Sequence, residues 1–188
     1  MSIVTDAVMK KLANVSMNKK AEEVVAEKPE EEANDQAVTT PTELLKRLLA
    51  TEYQAITMYN CAYYKLRGKE RLDLIPEYEA HKEEEEEHAK DLEELMLELG
   101  GITFSNADEW KEYSPTEVPS IDMANVDAIN AVIEKSEEEA VALYTAAVEY
   151  FKGIDDEATA SKLKKILKDE REHLKDVRID FQGKDSAI

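Results

Sequence analysis

Four stretches of the chain repeat apolar residues at helical spacing, and Gly, Pro or Asp punctuates the gaps between them. The first opens at Thr40-Pro41-Thr42-Glu43. The threonine can cap, the proline suits the first helical position, and Glu43 completes a capping box. It runs to Gly68 with Leu45, Leu48, Ala55, Ile56, Tyr59 and Tyr63 on one stripe. The second begins near Pro76 and stops at Gly100-Gly101, with Tyr78, Ala89, Leu92, Leu95, Met96 and Leu99 facing inward. The third runs from about Asn125 to Gly153 on Ile129, Val132, Ile133, Ala140, Val141, Tyr144 and Phe151. The fourth starts near Asp155-Asp156 and ends before Gly183, on Leu163, Ile166, Leu167, Leu174, Val177 and Phe181.

Connection lengths set the topology. The first and second stretches are joined closely, as are the third and fourth, so each pair predicts an antiparallel hairpin. The middle link, Ile102 to about Asp122, carries Trp110, Pro115 and Pro119. Antiparallel neighbours in a bundle need only a few linking residues. A link this long predicts a chain that crosses the bundle and starts the third helix parallel to the second. The expectation is an all-α, antiparallel four-helix bundle over 41–183 with one long crossover, which Trp110 packs onto the helices. Residues 184–188 are read as a C-terminal tail. Residues 1–40 hold no aromatic residue and end in an acidic run from about Glu22 to Asp35. Such a segment buries too little apolar surface to offset the ordering of its backbone, so a largely disordered acidic tail is expected. Ile3, Val4, Ala7, Val8, Leu12 and Val15 would suit a short amphipathic helix, which leaves a docking segment for a protein partner open.

Charged residues interrupt the apolar stripes where core side chains belong. Glu52 falls between Leu48 and Ala55, and Glu137 between Ile133 and Ala140. Glu85 and His88, three residues apart, share a helix face with Leu92; Glu170 and His173 do the same between Ile166 and Val177. Buried charge without a partner is strongly unfavourable, and four carboxylates in one core would repel one another and resist ionisation. Two divalent cations would neutralise four carboxylates, and carboxylate with imidazole suits iron, manganese or zinc.

An offset of 85 residues carries Glu52 to Glu137, Tyr59 to Tyr144, Glu85 to Glu170 and His88 to His173 without a gap. Each half is therefore one hairpin that supplies a Glu from its first helix and a Glu-x-x-His from its second. Glu83 to Glu87 is an unbroken acidic run, so a Glu three residues before His88 carries little information by itself, and a solvated charged face would look the same. The histidines carry the weight: the chain has only three, and two of them obey the offset.

The formal net charge of −19 argues against nucleic-acid binding and suits attraction of cations, although surface carboxylates also serve solubility. Cys61 is the only cysteine, so no intrachain disulfide can form; it reads as a buried small residue. No apolar run approaches the ~20 residues of a membrane span, and the start of the chain lacks a secretory apolar segment, so a cytoplasmic protein is expected.

Glu-Tyr-Gln-Ala-Ile-Thr-Met-Tyr (52–59), Glu-Glu-Glu-His (85–88), Glu137 with Tyr144, and Glu-Arg-Glu-His (170–173) resemble the four metal-binding segments of bacterioferritins. They are also similar to rubrerythrins and related di-iron carboxylate proteins of the ferritin-like superfamily. The resemblance spans about 42–182. It implies two irons per chain, with Glu85 and Glu170 bridging, Glu52 and His88 completing one iron, and Glu137 and His173 the other. It also implies oxidation of Fe(II) by O2 or H2O2, in a homo-oligomer, often with storage of ferric mineral. Manganese shares these ligands.

Several features depart from those families. Bacterioferritins bind haem through a Met directly after the second-helix Glu; Glu86 stands there, so no haem is expected by that route. About 15 residues follow His173, which leaves no short fifth helix and weighs against a 24-chain shell. No rubredoxin-type cysteine module is present. One chain supplies all six candidate ligands, unlike mini-ferritins whose site lies between subunits. A rubrerythrin-like peroxide reductase without mineral storage, an oxygenase with an apolar channel, and a non-catalytic interaction bundle are the competing readings.

Tyr59 and Tyr144 lie seven residues after Glu52 and Glu137. They are candidates for bonding a ligand carboxylate or passing an electron, against plain core packing with a satisfied hydroxyl. His81, seven residues before His88, reads as a partly exposed helix residue, with assistance to iron entry as the functional alternative.

Overall fold

A computed structural model of the chain describes residues 40–66, 74–114 and 126–182. The described residues form α1 (Pro41–Leu66), α2 (Ile75–Glu98), the short α3 (Ala107–Tyr113), α4 (Val126–Gly153) and α5 (Glu157–Gln182). Residues 1–39 of the expected 1–40 tail, 67–73 with Gly68, the part 115–125 of the link and residues 183–188 lie outside them.

The start of α1 is the capping box read from the sequence. The Glu43 amide donates to Thr40 Oγ1 at 3.2 Å, and the Thr40 amide donates to Glu43 Oε2 at 3.0 Å. At the end of α2, Gly100 adopts φ +73°, a conformation that disfavours any side chain, and the Gly101 amide donates back to the Met96 carbonyl at 2.8 Å. Asp155, at φ +60°, makes the corresponding turn between α4 and α5, and the Asp156 carboxylate accepts from the Thr159 amide to start α5.

Cross-helix partners establish the directions. Tyr59 meets His81 and Tyr53 meets Glu93, so α1 and α2 run antiparallel. Arg178 bonds both Glu134 and Glu138, while Phe151 and Ala160 share one cluster, so α4 and α5 do too. Tyr59 reaches Glu137 and Tyr144 reaches Glu52, which makes α1 antiparallel to α4. It follows that α2 and α4 are parallel, the relation the long link predicts. The first turn of that link contains α3, whose Asn106 caps it through Oδ1. Trp110 is buried, packs on Tyr53 edge to face, and ties the link to α1.

Two apolar clusters fill the bundle. One joins Leu45, Leu48, Leu92, Met96, Tyr144, Phe151, Leu163 and Ile166; the other joins Met58, Tyr59, Leu66, Tyr78, Ile129, Ile133 and Val177. The charged layer lies between them. Leu99, expected inward, is 39% exposed because α2 has already ended there. Ile56, Tyr63, Val132, Val141 and Leu174 are half-buried at the stripe edges, and the Phe181 side chain lies outside the described residues. Cys61 is half-buried rather than buried: it sits at the edge of the α1 stripe, beside the fully buried Ala62.

Candidate metal centre

Glu52, Glu85, His88, Glu137, Glu170 and His173 are all buried in the middle of the bundle. Glu52 comes from α1 and Glu137 from α4, while α2 and α5 each contribute a Glu and a His one turn apart. Among the described residues they form two groups able to hold a metal ion: Glu52, Glu85, His88 and Glu170, and Glu85, Glu137, Glu170 and His173. Within each group one donor atom per residue lies within 4.8 Å of every other. Glu85 and Glu170 belong to both groups.

The two histidines present the same ring nitrogen to the carboxylates. His88 Nδ1 lies 3.1 Å from Glu85 Oε2, 3.1 Å from Glu170 Oε1 and 3.7 Å from Glu52 Oε2. His173 Nδ1 lies 3.2 Å from Glu85 Oε1 and 3.8 Å from Glu137 Oε2. One nitrogen cannot donate to three carboxylates. Glu85 Oε1, Glu137 Oε2, Glu170 Oε1 and His173 Nδ1 are buried without any hydrogen bond, despite neighbours at these distances. Atoms this close yet unaligned converge on shared points instead of pairing with each other. Two hard-to-intermediate cations, each bound by oxygen and imidazole, fit those points.

Burial and mutual repulsion set the protonation of the metal-free cluster. Glu137 is pushed up to about 8 by burial and then by the charge of Glu170; Glu170 is pushed up to about 8 by burial and then by Glu85. Glu85 is held well above the carboxylate range by burial and by Glu52. Burial also opposes ionisation of Glu52, but contacts with His88 and the Tyr144 hydroxyl outweigh it and hold Glu52 low. Burial disfavours protonated His88 and His173, yet the surrounding carboxylates raise both. Protons thus take up, in part, the neutralising role that cations would fill.

The tyrosines cross between halves. Tyr59 on α1 donates to Glu137 Oε1 on α4 at 2.6 Å, and Tyr144 on α4 donates to Glu52 on α1. Each hydroxyl therefore orients the Glu of the other hairpin. Their own ionisation is strongly opposed, first by burial and then by those same carboxylates.

Two outer carboxylates escaped the sequence reading. Glu84 Oε2 lies 2.6 Å from His173 Nε2, and Asp169 Oδ2 lies 3.8 Å from His88 Nε2. At 2.6 Å Glu84 favours the His173 tautomer with its proton on Nε2, leaving Nδ1 as a lone pair aimed inward, whereas Asp169 lies beyond hydrogen-bond reach of His88. The signal was present: Glu84 and Asp169 obey the same 85-residue offset, but the acidic run hid it. His81 also departs from expectation. It is 6% exposed, because its ring stacks on His173 at 4.3 Å between centroids and packs edge-on to Tyr59.

The ferritin-like domain family matches residues 42–179, nearly the whole bundle. The chain belongs to the ferritin-like family. Among solved structures it is similar to the bacterioferritin-related protein of Bacteroides fragilis, a dodecameric thioferritin. The identity is 26% and the TM-score 0.69, over 73% of this chain and 82% of that one. It is also similar to a ferritin-like di-iron carboxylate protein of Bacillus anthracis strain Ames. That identity is 27% and that TM-score 0.63, over 73% of this chain and 92% of that one. No curated protein matches the chain. As in a ferritin-like bundle, a buried Glu/His cluster able to hold metal occupies the middle of the four long helices. Among the described residues no helix is long and apolar enough to cross a membrane.

Proposed function

We propose that this ferritin-like chain is a ferroxidase that binds two Fe(II) per chain as substrate and oxidises them with O2 or H2O2, in iron storage or detoxification. The observation that carries the reading is the pair of four-residue groups sharing Glu85 and Glu170. Glu52 and His88 would complete one iron position, and Glu137 and His173 the other. Two Fe(II) held side by side supply together the two electrons that convert O2 and two protons to H2O2, so no one-electron product need be released. The Bacteroides fragilis relative is dodecameric, and a homo-oligomer is proposed for this chain, in a cytoplasmic setting.

The chain's own residues supply position. Tyr59 and Tyr144 hold Glu137 and Glu52 in place, and Glu84 orients the His173 imidazole. Anaerobic Fe(II) titration followed by air is the test. Two tightly held Fe(II) per chain and a fast oxidation phase are expected; tight stoichiometry other than two, or no fast phase, would exclude a ferroxidase. Faster turnover with H2O2 than with O2, together with a small oligomer that stores no mineral, would instead select the peroxide-reductase reading.

Glu84→Gln should weaken Fe(II) binding at the Glu137/His173 position by about 10–100-fold, because the amide no longer holds the His173 tautomer. Its exposed position leaves melting of the metal-free protein nearly unchanged. Unaltered affinity in Glu84→Gln would show that Glu84 does not orient His173.

A further inference from the structure

One cluster stands outside the cluster just described. Among the described residues Glu77, His81 and Asp176 form a third group whose donor atoms all lie within 4.8 Å of one another. Glu77 and His81 sit one turn apart on α2, and Asp176 comes from α5. His81 is buried, whereas the two carboxylates are half-exposed, so the group opens toward solvent at the edge of the bundle.

The chemistry of His81 points outward to a ligand. Tyr59 has one hydroxyl proton, and it goes to Glu137 at 2.6 Å. The Tyr59 oxygen, 3.3 Å from His81 Nδ1, can then only accept, so His81 carries its proton on Nδ1. That leaves Nε2 with a bare lone pair. A lone pair and two carboxylates within 4.8 Å of one another bring three acceptors together, with Lys175 Nζ at 4.0 Å from Asp176 on the outer side, and a divalent cation satisfies all three at once.

The internal repeat gives a second, independent reason. The same offset of 85 residues places Lys162 at the position of Glu77 and Ile166 at that of His81, and relates Asp176 to Asp91. Ile166 is buried in the apolar cluster beside Tyr144, as His81 is beside Tyr59. Lys162 pairs with Glu98. The fold is therefore content with an isoleucine and a lysine at these positions, and the histidine and glutamate answer some other requirement.

From this juxtaposition we infer a third divalent-cation site, formed by Glu77, His81 and Asp176, on the His173 side of the bundle only. It goes beyond the ferroxidase reading and does not depend on it. With three donors, two of them half-exposed, it binds more weakly than either four-donor group. Its ring contact with His173 places it one helical turn from the Glu137/His173 group and makes the two halves of the bundle unequal in their access to metal.

Equilibrium dialysis of the full-length, chelator-stripped protein against Co(II), with millimolar Mg(II) to occupy surface carboxylates, tests this by metal analysis. The parent should hold three Co(II) per chain. His81→Ile, which copies the residue at the equivalent position, and Asp176→Asn should each hold two. Glu85→Ala with Glu170→Ala should lose the central pair and keep one Co(II) that disappears on adding Asp176→Asn. Both half-exposed and core-compatible substitutions are used so that folding, checked by circular dichroism, is retained in at least one. A parent that saturates at two with His81→Ile and Asp176→Asn also at two overturns the third site and leaves the dinuclear reading standing. A parent that holds one Co(II), lost in Asp176→Asn, upholds the third site while removing the central pair.

Discussion

Glu85→Leu combined with Glu170→Leu is expected to raise the melting temperature of the metal-free protein while abolishing tight Fe(II) binding. Both carboxylates are 1% exposed, and each carries an oxygen with no hydrogen bond. Glu85 is held well above the usual carboxylate range and Glu170 is pushed up to about 8, in both cases first by burial, so the fold opposes their ionisation. Replacing buried charged groups by apolar residues of similar volume is often stabilising, by about 1–4 kcal/mol. Two Glu–His pairs would remain, His88 with Glu52 at 3.7 Å and His173 with Glu137 at 3.8 Å, and both tyrosine bonds would survive. Both four-residue groups lose two donors at once, so tight binding is lost for the pair and not for one position alone. Thermal unfolding with chelator present, beside anaerobic Fe(II) titration, reads both effects. A double variant that melts well below the chelated parent would mean that these carboxylates stabilise the fold without metal, and the central reading would fail.

The metal-free protein should also melt several degrees lower at pH 8 than at pH 6.5, and metal should reverse that slope. Glu137 and Glu170 are raised to about 8 when folded, against an ordinary value of 4.5. A raised folded-state value means that the folded chain holds more protons than the unfolded one between those limits. Stability is then full below 4.5 and declines as pH rises toward 8. His88 and His173, also raised, act in the same direction above 6.5. His81, lowered to about 3, has the opposite effect, but only below 6.5. The window from 6.5 to 8 is therefore free of that opposition. A bound cation competes with the same protons, so loaded protein should gain stability over this range. Melting curves at the two pH values, with chelator and with Mn(II), decide the matter. Chelated protein that melts higher at pH 8 would contradict the protonation pattern assigned to the cluster.

The outer carboxylates show why some of the site escaped the sequence. Glu52 and Glu137 were conspicuous because each interrupts an apolar stripe on a helix whose register its neighbours define. Glu84 and Asp169 lie off those stripes, exposed to solvent, inside charged runs where any acidic residue looks like a solvated surface. His81 failed in the opposite sense. Neighbours within α2 suggest partial exposure, since Glu79 and Ala80 are exposed and Lys82 is half-buried. What buries it are the rings of Tyr59 on α1 and His173 on α5, contacts that no spacing along α2 contains.

By itself the sequence determined the four helices, their caps, the crossover and the six central side chains, because helical period, capping chemistry and an internal repeat are properties of local order along the chain. Only the tertiary structure decided that Tyr59 serves Glu137 and Tyr144 serves Glu52, that Glu84 backs His173 of the opposite hairpin, and that Asp176 joins Glu77 and His81. Each of these contacts crosses between helices, and the rotation of one helix against another is fixed by packing, which the periodicity of either helix alone leaves free.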